Sequence, residues 1–515
     1  MRAAPPLLRI EVRLKGEVIV FKIIRWQVRG LVAVAGVLLL ATGLLGQSAE
    51  TSAYSLQQAI ATALRNNRDL QQAQLGLMSA DEQVREAWGT LFPTIDASVG
   101  YQRNIAIQEV FLPAIILDPN ASPDELVPVR FGADNNWSAW LFVTQPIFDA
   151  SAFVGVGAAG RFQALQRESV RGQAQQVASR VRRIYYEALL AREEMRVTQE
   201  SIDRTELTLR ETRGLYNAGL ASNYDVLRLQ VRLANMKPNL KRAANAAAAA
   251  ERGLSVELGL DEVIPVRVAG SLKDINLASV DSNEGANKEL LRLVGFQNAL
   301  DASIESMYEL ARKMRSDLRQ AQLNFELEDA RVRYEQTTRL PRINAFFNWG
   351  MIAQEDGGLN FFGETEKNRT TSAVLGIAVE IPIFQGFQRS ARVEQRRLAR
   401  EQARIELDLL QREAENQIRT AFEALEEARE RAGAQRWAVD EAGRGFEIVT
   451  AQYLAGVSSN LEVTEGEVLL RESEFNYAEA VFDYLIAQAA LDEAMGVVPL
   501  VDVPVPAGAD VSISE

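Results

Sequence analysis

Cysteine and histidine are both missing from this chain of 515 residues. Without them the chain cannot form a Ser-His-Asp or Cys-His catalytic triad, and it lacks the ligands of nearly all zinc sites. The missing cysteine also excludes disulfide bonds and a lipid-modified N-terminal cysteine. We therefore predict that the protein is not an enzyme and that it holds no metal and no cofactor.

Positive charge is scarce as well. The chain has 56 lysine and arginine residues against 69 aspartate and glutamate residues, which gives a formal net charge of -13. Binding to nucleic acid relies on clustered lysine and arginine, because the phosphate backbone must be neutralised. We therefore expect no nucleic-acid partner.

The longest apolar run lies near the N-terminus, from Leu31 to Leu45. Arg25 and Arg29 precede it and small residues follow it, which is the pattern of a secretory signal peptide. We assign residues 1–49 to this signal, and Gln47 leaves the cleavage site open. A membrane anchor is the alternative, although the run is short for a transmembrane helix. No later apolar run reaches the roughly 18 residues of a spanning helix, so any membrane crossing by the mature chain must use strands.

The sequence repeats itself, and this duplication organises the rest of the chain. The segment Asp-Leu-Gln-Gln-Ala-Gln-Leu at 69–75 returns as Asp-Leu-Arg-Gln-Ala-Gln-Leu at 317–323. The segment Tyr-Asn-Ala-Gly-Leu-Ala-Ser-Asn at 216–223 returns as Tyr-Leu-Ala-Gly-Val-Ser-Ser-Asn at 453–460. After the signal, the expected organisation is a first repeat at 50–260, a connector at 261–288, a second repeat at 289–496 and a C-terminal tail at 497–515.

Within each repeat the hydrophobic pattern changes period in the same order. A helical stretch ends at Pro93 or Pro341, and an alternation of apolar and polar residues then predicts a strand. A long polar loop, 104–136 in the first copy and 352–370 in the second, separates it from a returning strand. The strands are near the roughly 10 residues that a membrane-spanning strand needs. They favour a lipid-facing barrel, with a soluble hairpin or sandwich as the alternative.

A very long helix follows each strand pair, after Pro146-Ile-Phe or Pro382-Ile-Phe. Apolar residues then recur at alternating spacings of four and three, which is the pattern of a coiled-coil seam. From Arg161 to Leu215 such a helix would be roughly 80 Å long. It is expected to turn at Gly219, and its copy at Gly456, into a partner helix. In the first copy the seam consists of Val170, Ala174, Val177, Val181, Ile184, Ala188, Ala191, Met195 and Ile202.

Residues 155–160 spell Gly-x-Gly-x-x-Gly, a pattern shared with dinucleotide-binding loops. That function requires a second parallel strand soon afterwards, whereas a very long helix is expected here. The matching segment of the second copy, 384–389, has lost the pattern. We therefore expect the glycines to ease the passage from strand to helix rather than to bind a nucleotide.

The two hairpin turns carry the acidic residues of greatest interest. Asp225 follows Ser222 by three residues, and Glu462 follows Ser459 in the same way, which is the spacing of a helix capping box. Capping accounts for both acids without any further role. It does not account for Glu465, which comes one turn later and either faces solvent or belongs to a ring of charge.

This duplicated order of helix, strand pair, long helix and helical hairpin resembles the TolC family of trimeric outer-membrane efflux proteins. The turn sequences at 216–227 and 453–463 are similar to the helical-hairpin turns of that family. The resemblance implies a mainly helical fold with membrane strands. In such a fold each chain gives four strands to a trimeric twelve-stranded barrel, and the long helices form a coiled-coil tunnel across the periplasm.

The resemblance also implies a function. The protein would be the outer-membrane channel subunit of a tripartite efflux or type I secretion system, a passive conduit from periplasm to exterior. Its expected partners are the other chains of a homotrimer, a periplasmic adaptor (membrane fusion) protein, an inner-membrane pump and outer-membrane lipid. The alternative is a periplasmic adaptor or coiled-coil scaffold without a pore, because adaptors also carry long helical hairpins.

The resemblance places a narrow periplasmic entrance at the hairpin turns. Acids after the second turn ring this entrance in the family, and they match Glu462 and Glu465. A tyrosine in the second turn and an acid after the first hold the entrance shut, and they match Tyr453 and Asp225. Some members carry an arginine where this chain has Ser458, so the closing network is expected to differ here. The remaining predicted site residues are the turn residues Gly219, Ser222, Gly456 and Ser459 and the helix–strand junctions Pro93, Pro146, Pro341 and Pro382.

Overall fold

The computed structural model describes residues 9–14, 17–22, 53–116, 126–277, 303–357 and 368–497, together with Pro119, Ser122 and Asp124. The chain divides into two compact units, Met1–Ser52 and Ala53–Glu515. In the first unit the strands β1 (Arg9–Leu14) and β2 (Glu17–Lys22) pair antiparallel. The apolar run and cleavage site of the expected signal lie outside the described residues, as does the expected tail beyond Val497.

The second unit repeats one order of elements twice: two helices, a strand pair, a long helix and a shorter partner helix. The first copy consists of α1 (Leu56–Asn66), α2 (Arg68–Gly89), β3 (Thr94–Arg103), β4 (Glu109–Pro113), β5 (Leu126–Arg130), β6 (Asn135–Phe148), α3 (Ala150–Asn217) and α4 (Asn223–Glu257). The second copy consists of α5 (Ile304–Met314), α6 (Ser316–Thr337), β7 (Arg342–Glu355), β8 (Arg369–Glu380), α7 (Gln388–Leu454) and α8 (Asn460–Met495). The predicted fold class, mainly helical with a duplicated unit, is confirmed.

Four strands form one antiparallel sheet in the order β3-β6-β7-β8. The pairing of β6 with β7, in which Ala139 lies opposite Met351, joins the two copies. Within the described residues, the outer edges of β3 and β8 have no strand beside them. One face of the sheet is apolar and uncovered, because Ile95 is 67% exposed and Leu375 is 79% exposed. The chain thus presents two open edges and an apolar face.

The loops between paired strands differ from the prediction. The segment expected as a polar loop at 104–136 contains the hairpin of β4 and β5 and a short 3-10 helix at Ala114–Ile116. The strand β4 carries Val110 and Phe111, and β5 carries Val127 and Val129. Residues of these types have a high strand propensity, which favours the pairing. The second loop is shorter than 352–370, because β7 continues to Glu355 and β8 begins at Arg369.

Three of the four prolines lie where a strand meets a helix. Pro93 and Pro341 come directly before β3 and β7, and Pro382 follows β8. Pro146 instead lies inside β6, where the register with β7 shifts between Pro146 and Phe148. A proline cannot donate to the ladder of a sheet, and a bulge accommodates it near the end of a strand.

The long helices follow the strand pairs, as predicted, and α3 extends well ahead of Arg161. The helix α3 has 68 residues and spans about 100 Å. It starts at Ala150 because the Asp149 carboxylate caps it, accepting a hydrogen bond of 2.9 Å from the Ser151 backbone nitrogen. The glycines at 155–160 therefore lie inside the helix, and the expectation that they ease its entry is wrong. A β-carbon on Gly155 would lie 3.7 Å from the Tyr334 ring, an ordinary van der Waals distance, so the packing of α3 against α6 does not require glycine here.

The main core lies where α1 and α5 flank the middle of α3 and the C-terminal half of α8. Most of the predicted seam of α3 is buried there, with Val177 and Val181 wholly inaccessible to solvent, whereas Ile184, Ala191 and Met195 are only partly buried. Ile418 on α7 is wholly buried in the same core. The described part of the connector packs into the same core through Leu272 and Ile275, which its polar appearance did not predict. Among the described residues, no helix combines the length and the apolar composition that a membrane crossing requires.

Candidate functional site

The first hairpin turn connects α3 to α4. Gly219 adopts a φ of 78°, a left-handed conformation that favours glycine, and the Leu220 nitrogen donates to the Leu215 carbonyl at 2.8 Å. The hydroxyl of Ser222 then accepts a hydrogen bond from the Asp225 nitrogen at 3.2 Å. The Asp225 carboxylate accepts one from the Ser222 nitrogen at 3.3 Å. The capping box predicted for this turn is therefore confirmed.

The second hairpin turn connects α7 to α8 and is built differently. Gly456 again has a positive φ, 75°, and the Ser459 hydroxyl accepts from the Glu462 nitrogen at 3.3 Å. The Glu462 carboxylate does not return to the Ser459 nitrogen; it accepts a hydrogen bond from the hydroxyl of Ser458. Only half of the predicted capping box is present here, and the carboxylate is engaged by Ser458 instead.

Glu462 and Glu465 line one groove, which has a volume of about 540 Å³ between α7 and α8. Apolar side chains, among them Trp437 and Leu469, form most of its wall. Both glutamates share this side of α8 because a helix brings residues three apart onto one face. Glu465 is exposed and pairs with no cation within the described residues. A ring of these carboxylates stays a prediction, since it requires further copies of the chain.

Tyr453 ties the second turn to the first hairpin. It is buried at the end of α7, and its hydroxyl shares a hydrogen bond of 3.0 Å with the hydroxyl of Thr212 on α3. Asp225 points its carboxylate into its own cap instead. Within one chain the structure therefore joins Tyr453 to Thr212, and it does not join Tyr453 to Asp225.

A buried carboxylate that sequence analysis missed lies two turns inside α8. Glu467 accepts hydrogen bonds from the Ser201 hydroxyl on α3 and from the Arg232 guanidinium on α4. Its position in the sequence offered a signal, because Glu467 falls between Val463 and Leu470 at the spacing of the apolar seam. An acid in such a position needs a partner when it is buried.

A second buried ion pair lies far from the turns. The guanidinium of Arg182 on α3 contacts the carboxylate of Asp492 near the end of α8 at 2.8 Å, and both side chains are less than 5% exposed. Burial raises the pKa of Asp492, and the charge of Arg182 opposes that rise. Within the described ranges, no three acidic side chains converge as a metal ion would need.

Known proteins are similar to this chain in sequence. The family model of the outer membrane efflux protein matches residues 59–260 and 307–497. The outer membrane protein TolC of Escherichia coli is 21% identical over 463 residues, covering 89% of this chain and 85% of TolC. The alkaline protease secretion protein AprF of Pseudomonas aeruginosa is 24% identical over 382 residues, covering 72% of this chain and 73% of AprF.

Solved structures agree in fold. A crystal structure of CusC, in a study of its folding and transmembrane channel formation, superposes with a TM-score of 0.67 at 15% sequence identity. The alignment covers 88% of this chain and 95% of that one. Because the family model matches most of the chain in both repeats, this chain belongs to the outer membrane efflux protein family, as an outer-membrane channel protein that extends into the periplasm.

Proposed function

We propose that this chain acts as a passive conduit in a homotrimer, and that it catalyses no reaction. The observation that carries the proposal is the four-stranded sheet with open edges on β3 and β8. An open edge presents unpaired backbone donors and acceptors, which another strand can satisfy. If β8 of one copy pairs with β3 of the next, three chains close a barrel of twelve strands and leave no edge unpaired.

The long helices supply the periplasmic part of the conduit. Both hairpins, α3 with α4 and α7 with α8, extend away from the sheet over tens of residues. Coiled-coil hairpins of this kind offer grooves to the hairpin of a periplasmic adaptor, which in turn would connect the channel to an inner-membrane pump. AprF is named as an alkaline protease secretion protein and TolC as an outer membrane protein, and both names fit an export channel in the outer membrane.

The hairpin turns form the periplasmic entrance in this proposal. Glu462 and Glu465 face one groove at the tip of the second hairpin, and three copies would place six carboxylates around one axis. Acidic rings of this kind favour the passage of cations. Tyr453 would help to hold the tips together through Thr212. Residues 1–49 are the proposed signal, and N-terminal sequencing of the purified protein tests that assignment.

Two measurements on the full chain test the conduit. An outer-membrane fraction should yield a species that migrates as a trimer in detergent and as a monomer after heating. The purified trimer should conduct ions across a planar lipid bilayer. A pore-less adaptor or scaffold, the alternative from the sequence, would fractionate away from the outer membrane and conduct nothing, and that result would refute the proposal.

A further inference from the structure

Each chain forms a layer of helices that has two free flanks within the described residues. In the half nearer the turns, α3 packs against α4 on one side and against α8 on the other, and α8 packs against α7. In the half nearer the sheet, α2 and α6 take the places of α4 and α8. The helices α4 and α2 meet end to end, because the side chain of Asn67 donates to the Glu257 carbonyl at 3.0 Å. One flank of the layer is therefore α7, and the other is α2 together with α4.

The internal repeat shows that α2 exposes a surface that the fold covers elsewhere. The matched segments at the start of α2 and of α6 end in Leu75 and Leu323. Leu323 is 6% exposed. The side of α6 that carries Leu323 packs against α3, and two turns earlier on that side the Ser316 hydroxyl donates to the Glu168 carbonyl at 2.6 Å. Leu75, at the corresponding place on α2, is 65% exposed. In the described part of the chain, no long helix covers this side of α2 as α3 covers the same side of α6.

The flank formed by α7 exposes an apolar surface at the matching level. Leu398 is 59% exposed and Ile405 is 50% exposed, whereas Val393 and Ala403 on the other side of α7 are buried. Leu398 lies about 15 Å and Ile405 about 26 Å from the sheet end of α7, while Leu75 lies about 21 Å from the sheet end of α2. A leucine that fits between two apolar residues of a facing helix packs as a knob into a hole. The proposed pairing of β8 with β3 of the next copy brings these surfaces together, because α7 follows β8 and α2 precedes β3.

Farther from the sheet, the two flanks carry opposite charges. The matched turn sequences define which residues of the two hairpins correspond. Within a chain, Arg204 on α3 pairs with Glu474 on α8 at 3.0 Å. The corresponding residues are Glu441 on α7, which is 45% exposed and contacts Arg444 of its own helix, and Lys237 on α4, which is exposed as well. The ion pair inside the chain therefore returns on the two flanks with its signs exchanged.

A second pair of positions follows the same rule. Tyr186 on α3 and Ala489 on α8 are buried inside the chain, at 1% and 8% exposure. Their counterparts are Glu423 on α7 and Arg252 on α4, and both are exposed. Each counterpart lies about 50 Å along its helix from the turn, so the two charges stand at one level. Again the acid belongs to α7 and the base to α4.

We propose that α7 of one copy packs along α2 and α4 of the next, in the register that the internal repeat defines, and that the exchanged charges select this pairing. The proposal rests on the proposed homotrimer and adds its register and its choice of partner. If α7 of another copy took the place of α3 beside α8, Glu441 would face Glu474. If α3 of another copy took the place of α7 beside α4, Arg204 would face Lys237. Like charges at a contact disfavour the wrong partner, so the contact inside a chain is not exchanged for the contact between copies.

Cross-linking of introduced cysteines tests the register in the full chain, which has no cysteine of its own. In Glu441→Cys with Lys237→Cys, the two cysteines lie on opposite flanks of one chain, so only different copies can be joined. A short bismaleimide added to outer membranes should link the chains into dimers and trimers that survive heating in detergent. The matched control is Glu441→Cys with Ala248→Cys, because Ala248 lies on the same side of α4, about 17 Å farther from the turn. This shifted pair should migrate as a monomer after heating.

An exchange of charge tests the selection of the partner. Arg252→Glu places two acids at one level of the contact, and we expect the amount of trimer recovered to fall about tenfold. Arg252→Glu with Glu423→Arg restores opposite signs and should recover most of the wild-type amount. Lys313→Glu makes the same change of charge on α5, away from both flanks, and should assemble as the wild type does.

The two tests have separate ways to fail. Equal cross-linking of the matched and the shifted cysteine pairs, or no link in the matched pair of an assembled trimer, would overturn the proposed register. A double charge variant that assembles no better than Arg252→Glu would overturn the selection by charge. If Arg252→Glu does not fold, Glu423→Arg places two bases at the same level and is the alternative single variant. A wild-type chain that stays monomeric in the outer membrane would instead refute the proposed homotrimer.

Discussion

Glu462 and Glu465 lie one turn apart at the residue scale, yet they are held differently. The Glu462 backbone nitrogen donates to the Ser459 cap and its carboxylate accepts from Ser458, whereas Glu465 stands free in the groove. We predict that Glu465→Gln lowers the cation preference of the trimer without lowering its stability. Removing charge from a ring weakens its attraction for cations, while no cap is lost. Reversal potentials in a salt gradient measure the preference.

The comparison with Glu462→Gln distinguishes the two interpretations of these acids. If Glu462 only stabilises the start of α8 and Glu465 only faces solvent, Glu462→Gln lowers the melting temperature of the trimer and Glu465→Gln changes nothing. If they form a ring, both single variants lower the cation preference and the double variant lowers it further. An unchanged reversal potential in the double variant would rule out the ring and leave the family assignment intact.

Asp317 supports a prediction on pH. Burial alone would raise the pKa of Asp317, but hydrogen bonds and charge from Arg315 outweigh it and hold the pKa below the ordinary 3.8. A lowered folded pKa contributes stability that is present above 3.8 and is lost as the pH falls through the folded value. Asp317→Asn should therefore melt at a lower temperature than the wild type at pH 7. The difference should vanish as the pH falls well below 3.8.

The melting temperature of each variant is measured at a series of pH values from the loss of the helical circular dichroism signal on heating. Asp261→Asn is the control, because Asp261 faces Arg68 at 3.5 Å on the surface with its side chain 95% exposed. Exposed pairs of this kind contribute little, so this variant should melt with the wild type at every pH. A difference between Asp317→Asn and the wild type that does not depend on pH would contradict the assignment.

The long helices depend on a narrow buried seam at the element scale. Ile418 on α7 is wholly buried, whereas Leu409, nine residues earlier on the same helix, is 60% exposed. Ile418→Asp should destabilise the folded chain by more than about 3 kcal/mol, because a carboxylate enters a site that offers it no partner. Leu409→Asp should cost within about 0.5 kcal/mol. Denaturant unfolding of both variants tests the seam, and equal costs would contradict it.

Periodicity predicts elements better than it predicts their contacts. The four-three spacing from Val170 onward and the alternation in β7 identify long helices and strands, because each pattern persists over many residues. The exact first residue of α3 depends on the cap at Asp149, which is one side chain and not part of a repeating pattern. Hydrophobic periodicity also does not predict contacts between segments that are distant in sequence. Nothing local indicates that Trp140 lies over Gly350, where a β-carbon would come within 2.2 Å of the indole.

The same limit explains the outcome at the candidate site. Caps and turns are local, so the roles of Ser222, Gly219 and Gly456 follow from neighbouring residues. The partners of Glu467 lie on two helices that are remote in sequence, and their meeting depends on how the helices pack. Sequence analysis missed Glu467, although its spacing from Val463 and Leu470 was a signal, and the residues that neutralise it could not be named from the sequence.

The orientation of the whole molecule in the envelope is open to a direct test. The chain has no cysteine, so a single introduced cysteine is a unique label. We predict that Asp124→Cys, in the loop between β3 and β6, reacts with an impermeant maleimide on intact cells. Leu220→Cys, at the exposed tip of the first hairpin, should react only after lysis. Labelling of Leu220→Cys but not of Asp124→Cys on intact cells would contradict an orientation in which this loop lies outside the cell and the hairpin turns lie in the periplasm.

Within the described residues, a single chain carries two unpaired strand edges beside an exposed apolar face. Open edges recruit any extended segment, and large apolar patches promote aggregation. The pairing of Asn135 with Glu355 also spans 220 residues, and contacts so distant form late in folding. The helices can therefore fold while the sheet is still unfinished. If three copies close the barrel as proposed, the sheet has to finish folding where those copies and lipid are present, so the timing of this last step protects the chain from aggregation on its way through the periplasm.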